Sequence, residues 1–351
     1  ESPDDPYVQA NFTLDFDEFV DEQALSGISK VKLKRFHNDS TYVHESLSNQ
    51  IMQNFDVWTV HSSTYVKLNI TVGDRGTAYY GIYRLNESVN RHEYLDKRFG
   101  PDNDGGFLWQ GNYKDWGPAH FSRIDENWGG GGDFDQASFE YKGKGKKYDE
   151  AHAQLVDFAQ NVTQLEGSEF ETYVDQHINM ELFLKGLASE AILGHWDGFW
   201  GNGNNYFVYF DESQVMHFVP YDTDNTLGTS LIVSDSGEQN PIKFASNENA
   251  PLLVKKVLAI DKHLQAYKGY IEMLVTQTDL MVESYAVSWI EQIHSLINSD
   301  VINDTGDNFV IADEPAYWGN QDSYRIFDVE DGKNWYDTRL NAVNKALGNE
   351  F

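Results

Sequence analysis

Residues 204–228 read NNYFVYFDESQVMHFVPYDTDNTLG. Two short apolar runs flank Asp211, Glu212 and Ser213, residues whose side chains hydrogen-bond local backbone and so favour turns. The stretch therefore predicts a β-hairpin. In a hairpin of this length the residue before the first strand and the residue after the second lie at the same end. Asn204 and Asn205 are thus set across one sheet edge from Asp222 and Asp224. Asp197, on a helix-to-loop segment just upstream, falls near the same end, so residues distant in sequence are expected to form one acidic cluster.

The 351 residues around this hairpin suffice for one large domain or two lobes. YVKLNITVG alternates, with Val66, Leu68, Ile70 and Val72 on one face, and reads as a half-buried strand. AYYGIYRLNE follows an Asp-Arg-Gly turn as its antiparallel partner. DSTYVHESLSNQIMQ reads as a helix capped by Asp39 or Ser40. Further on, Met180, Leu184, Leu187 and Ala191 recur at helical spacing and lead into Gly194 and Asp197. Ala286, Trp289, Ile290, Ile293, Leu296 and Ile297 make a second amphipathic helix. The expected class is α+β, with a sheet-rich N-lobe over residues 1–130 and a mostly helical C-lobe over 131–351. The glycine-rich stretch at 125–148 would be the hinge between them, read either as a flap over a nucleotide or as a solvated surface loop. Its spacing is not that of a P-loop.

Charge narrows the function classes. The chain has 26 basic and 56 acidic residues, a formal net charge of −30. Such a field repels nucleic-acid backbones and anionic membrane surfaces, and a polyanion that binds ATP needs divalent cations to mask it. No cysteine is present, which removes disulfides, zinc–thiolate sites and thiol nucleophiles together. No apolar run reaches membrane-spanning length. Asn-x-Ser/Thr sequons occur at Asn11, Asn38, Asn69, Asn86, Asn161 and Asn303, as an Asn-rich chain produces by chance. ESPDDP has no initiator Met and reads as a trimmed mature start.

The cluster at the hairpin end suits a hard cation, because Mg²⁺ takes oxygen ligands and few carboxylates. One Asp on a loop, an Asn a few residues on, and an Asp after a hairpin is the arrangement phosphoryl transfer uses. The bland reading stands beside it: Asp and Asn crowd turns for local reasons, and 56 acidic residues make chance clusters. Neither DTDNTLG nor DNDGG has the EF-hand spacing. His195 reads as a base or as a loop-end His bonded to backbone. Trp196, Phe199 and Trp200 read as a clasp for adenine or peptide, or as packing around the loop.

These residues also carry a resemblance. DGFWGNGNNYFVYF and VPYDTDNTLG are similar to the hallmark of the CotH kinase family. GIYRLNESVN, VKLKRFHNDSTYVHESLS and FEYKGKG are looser matches, and together they cover about residues 25–300. The resemblance implies a bilobal, atypical protein-kinase-like fold whose C-lobe carries a short active-site hairpin. It implies an extracytoplasmic, bacterial, monomeric enzyme that uses ATP with Mg²⁺ or Mn²⁺ to phosphorylate Ser or Thr of a protein. Carried over residue by residue, Asp197 is the catalytic Asp. Asn205 with Asn204, and Asp222 with Asp224, bind metal. Glu87 is a structural or metal-side N-lobe Glu, and Lys34 or Lys142 supplies the cation that meets phosphate. Asn202, five residues after Asp197 as in ordinary kinases, ranks lower than Asn205. Gln110 stands where members often carry Lys, and His44 where they often carry Arg. Those departures leave open a weakened enzyme or a pseudokinase serving as a surface or adhesion module. A glycoside hydrolase built on a carboxylate pair has only abundant Asp, Glu and aromatic residues behind it.

Overall fold

In the computed structural model the described residues are 9–348, apart from 38, 102–105, 116, 123–137, 144, 232–234, 245–249, 303–306, 308–309 and 316–323. The glycines at 129–132 and the expected lobe boundary at 130/131 lie outside them. The fold is α+β, with two four-stranded antiparallel sheets and ten α-helices among the described residues.

The first sheet contains β1 (Phe12–Asp15), β2 (Lys30–Lys34), β3 (Ser63–Thr71) and β4 (Thr77–Glu87), in the order β1-β2-β4-β3. The expected hairpin of alternating strands is the β3–β4 pair, with a register shift at Leu68/Asn69. Helix α1 (His44–Asn54) follows β2. The second sheet contains β5 (Phe107–Gly111), β6 (Phe139–Tyr141), β7 (Tyr206–Phe210) and β8 (Met216–Pro220), in the order β6-β5-β7-β8. The β7–β8 pair is the hairpin read from sequence, with Tyr206 opposite Pro220. Asp211 holds its turn by accepting from the N–H groups of Ser213 and Val215, both at 2.9 Å. β5, which sequence reading assigns to the N-terminal unit, instead pairs with β7.

Helix α2 (His92–Phe99) leads from the first sheet, and α3 (Tyr148–Gln164) and α4 (Gly167–His177) precede the central helix α5 (Met180–Leu193). α5 is buried on every side from Leu182 to Leu193 and packs on β8 and on α8 (Asp261–Glu272), which follows α7 (Leu252–Leu258). The sequence pattern marked only one stripe of α5, whereas its other faces also bury Leu182, Phe183, Ile192 and Leu193 beside the polar Lys185, Ser189 and Glu190. The last helices are α9 (Glu283–Ile297) and α10 (Trp335–Leu347). α9 buries Ala286, Ile290 and Ile297, whereas Leu296, expected in the stripe, is 73% exposed. From α10 the fully buried Arg339 donates to the carbonyls of Ala191 (2.6 Å) and Ile192 (3.1 Å). A cation on the last carbonyls of a helix satisfies orphan acceptors and the helix dipole together.

The N-terminus of α1 is held from outside the helix. The Asp39 carboxylate accepts from the backbone N–H of His44 (3.2 Å) and from its ring Nδ1 (2.8 Å). Burial opposes both charges, but the pair wins: His44 is raised above its ordinary value, and Asp39 is held down at about 2. The depressed carboxyl stabilises the fold above about pH 4 and loses that contribution as pH falls towards 2. The raised imidazole stabilises below about pH 6.5 and loses its contribution as pH rises through the folded value. Asp39→Asn is therefore expected to cost about 2 kcal/mol at pH 5–6 and to flatten the stability–pH curve on both sides. Urea unfolding across pH 3–8 measures it, and an unchanged curve refutes the pairing.

Candidate functional site

The site begins where α5 stops. Gly194 takes the left-handed conformation (φ 67°) that closes the helix, and a Cβ there would collide with the Trp335 ring. The chain turns through His195 and Asp197 into the single-turn helix α6 (Phe199–Asn202), which ends on the left-handed Gly203 (φ 60°). Fully buried Glu190 secures this turn by accepting from the N–H groups of Phe199 (3.4 Å) and Trp200 (3.2 Å).

Asp197 is surrounded by side-chain amides. Its Oδ1 accepts from Asn202 (2.7 Å) and Asn204 (3.2 Å), and its Oδ2 from Asn205 (2.8 Å) and Asn225 (3.4 Å). Four donors from two loops fix the plane of the carboxylate without supplying a counter-charge.

A second, charged station lies at the end of β2. The Lys34 ammonium contacts Asp222, Glu45 (2.9 Å) and Asp224 (2.9 Å). Glu45, 1% exposed, also pairs with the buried Arg84 guanidinium and accepts from Asn86 (3.1 Å). Burial lowers the Lys34 pKa below its ordinary 10.5 although Asp224 opposes this, and burial brings Arg84 down to about 10. His61, fully buried and 3.4 Å from Glu45, is pushed down to about 3 by desolvation and is therefore neutral.

The two stations are stitched together by the 221–229 loop. Tyr221 N–H donates to Asn205 O (3.1 Å), and Leu227 N–H to Leu193 O (2.8 Å). Helix α1 grips the same loop through Ser48 Oγ–Thr226 Oγ1 (2.7 Å) and Thr223 Oγ1–Asn49 Oδ1 (2.9 Å). Asn205, Asp222 and Leu227 all have left-handed backbone, with φ of 53°, 55° and 53°. Each such residue costs on the order of 1 kcal/mol or more, held in place by the surrounding bonds.

The structure brings Lys34, Asp222 and Asp224 together, and groups Asp197 with Asn204 and Asn205. Within the expected cluster the contacts fall into two sets: the asparagines donate to Asp197, and the 222/224 carboxylates pair with Lys34. Asn202, ranked lower from sequence, makes the shortest of the four bonds to Asp197. Glu87 is engaged elsewhere, with Arg98 (2.8 Å) and the N–H of Ser62 (2.9 Å). Lys142 follows β6, pairs with Glu140, and lines a separate cavity with Lys30 and Arg91. It sits beyond Tyr141, which pairs with Trp109, whereas the site lies at the Gly111–Tyr206 end of that sheet. Glu45, Arg84 and Asn225 were missed. The one signal for Glu45 is its place in the first turn of the first helix after a lysine-bearing strand, and an acidic residue there already has a local explanation in the helix dipole.

His44 and Gln110 also find ordinary explanations, one paired with Asp39 and the other in the β5 ladder opposite Phe207. The backbone N–H of His195 donates to Glu190 O (2.9 Å), but neither ring nitrogen has a hydrogen-bond partner among the described residues. Trp196, Phe199 and Trp200 are buried packing residues.

Glu45, Asp222 and Asp224 offer carboxylate oxygens that all lie within 4.8 Å of one another. An all-oxygen donor set fits Mg²⁺ or Mn²⁺ and is a poor match for softer metals. No helix among the described residues is long and apolar enough to cross a membrane. The family model described as CotH kinase protein matches residues 5–340. No curated protein matches the chain. Removing the Glu45 carboxylate strips the buried Arg84 guanidinium of its anionic partner, so Glu45→Ala is expected to cost about 3–5 kcal/mol. Denaturant unfolding measures this, and a loss below 1 kcal/mol would remove Glu45 from the centre of the network.

Proposed function

We propose that this chain, which belongs to the CotH kinase protein family, transfers the γ-phosphoryl group of ATP to a Ser or Thr hydroxyl of an extracytoplasmic protein. The observation that carries the reading is Lys34 on β2 paired with Glu45 on α1 and facing Asp222 after the hairpin. Protein kinases require a strand Lys, a helix Glu and a metal-binding Asp in that relation. A bound divalent cation would neutralise charge on the nucleotide phosphates, with Asp222 and Asp224 as its holders and Glu45 kept on Lys34 and Arg84.

The remaining roles follow from the chain's own groups. Lys34 meets the phosphates as a point charge. Asp197, its plane fixed by four amides, orients the acceptor hydroxyl and takes its proton. Asn202 and Asn205 each direct Nδ2 at Asp197, which leaves Oδ1 of each as an acceptor for ligand. A second reading, nucleotide binding without transfer, is favoured by one observation. Both Asp197 oxygens already accept amide bonds, which leaves fewer lone pairs for an acceptor hydroxyl.

Titration calorimetry of ATP with Mg²⁺ or Mn²⁺, combined with transfer of labelled phosphate to a protein panel, separates the readings. Asp222→Ala is expected to abolish metal-dependent ATP binding and transfer alike. Asp197→Asn should retain binding and lose about 10²–10⁴-fold in transfer. Binding without transfer in the unaltered protein selects the second reading, and no binding under any metal condition overturns both.

A further inference from the structure

Two cavities share one wall on the outer side of α1 and α9. One, about 260 Å³, lies between α1 and β3 and is lined by Gln50, Gln53, Ser63, Thr64 and Tyr65. The other, about 490 Å³, lies along α9 and is lined by Tyr285, Ser288 and Gln292. Trp289, half-buried, borders both. Across the two linings the one charged side chain is Asp279. In a chain with net charge −30, that near-absence of charge sets this surface apart.

The lining is amide, hydroxyl and aromatic. The side chains of Gln50, Ser62, Ser63 and Thr64 form no hydrogen bond within the protein among the described residues, so their donors and acceptors remain for a ligand. An indole with tyrosines on either side suits a molecule with an apolar C–H face and a polar rim. Free amides and hydroxyls suit the rim. The lack of charge argues against anions and cations alike, since either would be desolvated without a partner. Two cavities that meet at one indole fit a ligand longer than a single ring.

We infer that a neutral oligosaccharide chain seats across Trp289 in the groove between α1, β3 and α9. The groove is separate from the carboxylates at Lys34, yet it touches the same helix: Asn49 lines it and also accepts the Thr223 hydroxyl. The inference does not depend on phosphoryl transfer.

Affinity gel electrophoresis of the full chain in soluble β-glucan, xylan or galactomannan tests it, with polygalacturonate as the charged comparison. Retardation is expected in at least one neutral polymer and not in polygalacturonate. Trp289→Ala should weaken that retardation by tenfold or more. Because Trp289 also packs against the core, a second variant guards against misfolding. Gln50→Glu keeps size and helix and places a carboxylate in the groove; it should lose retardation with an unchanged circular dichroism spectrum. No retardation in any neutral polymer overturns the inference, as does equal retardation in polygalacturonate or unaltered binding by both variants.

Discussion

Glu45 is the residue through which the parts of this molecule are joined. Its buried carboxylate binds Lys34 from one strand, Arg84 from another, and Asn86 beside it. Two cations on one carboxylate leave positive charge over, and Asp222 and Asp224 compensate from the loop after the hairpin. A buried ion pair contributes little net stability against an apolar alternative, but a broken one is expensive. The arrangement therefore specifies geometry: the first sheet, α1 and the 221–229 loop can all be satisfied only in one relative position. The hydroxyl bonds of Ser48 and Asn49 to Thr226 and Thr223 hold the same contact by uncharged means.

Asp197 is treated differently. It has amide neighbours and no cation, so its direction is fixed and no counter-charge faces it. Its position depends on the end of α5, which is buried on all sides and pinned by Arg339 from the far end of the chain. Left-handed backbone at Asn205 and Asp222 brings the two stations side by side. The result is a carboxylate with no counter-charge and, separately, an acidic group that holds a lysine.

Much of this was legible in local pattern. The β7–β8 hairpin followed from two apolar runs and a turn, the β3–β4 pair from alternation, and α1, α5 and α9 from helical spacing. The site residues were less legible. Asn202, Asn204, Asn205 and Asn225 differ in sequence context, and nothing local says that all four face one carboxylate. Glu87 pairs with Arg98, in keeping with the structural one of the two roles expected for it, and Lys142 pairs with Glu140. Glu45 was hidden because an acidic residue in a helix first turn already has a local explanation in the helix dipole.

Sequence alone determined the periodic elements, the hairpin that fixes Asn205 against Tyr221, the strongly acidic balance and the family. These depend on residue type at short range, where a side-chain period or a turn preference is enough. Tertiary structure decided how one expected acidic cluster became two stations. It also set β5 against β7 and placed Glu45 and Arg339 at the joints. Those outcomes rest on groups that local pattern does not pair, as with Glu45 and Arg84, 39 positions apart, and for such buried charges desolvation favours the pairing only once the chain has closed around them.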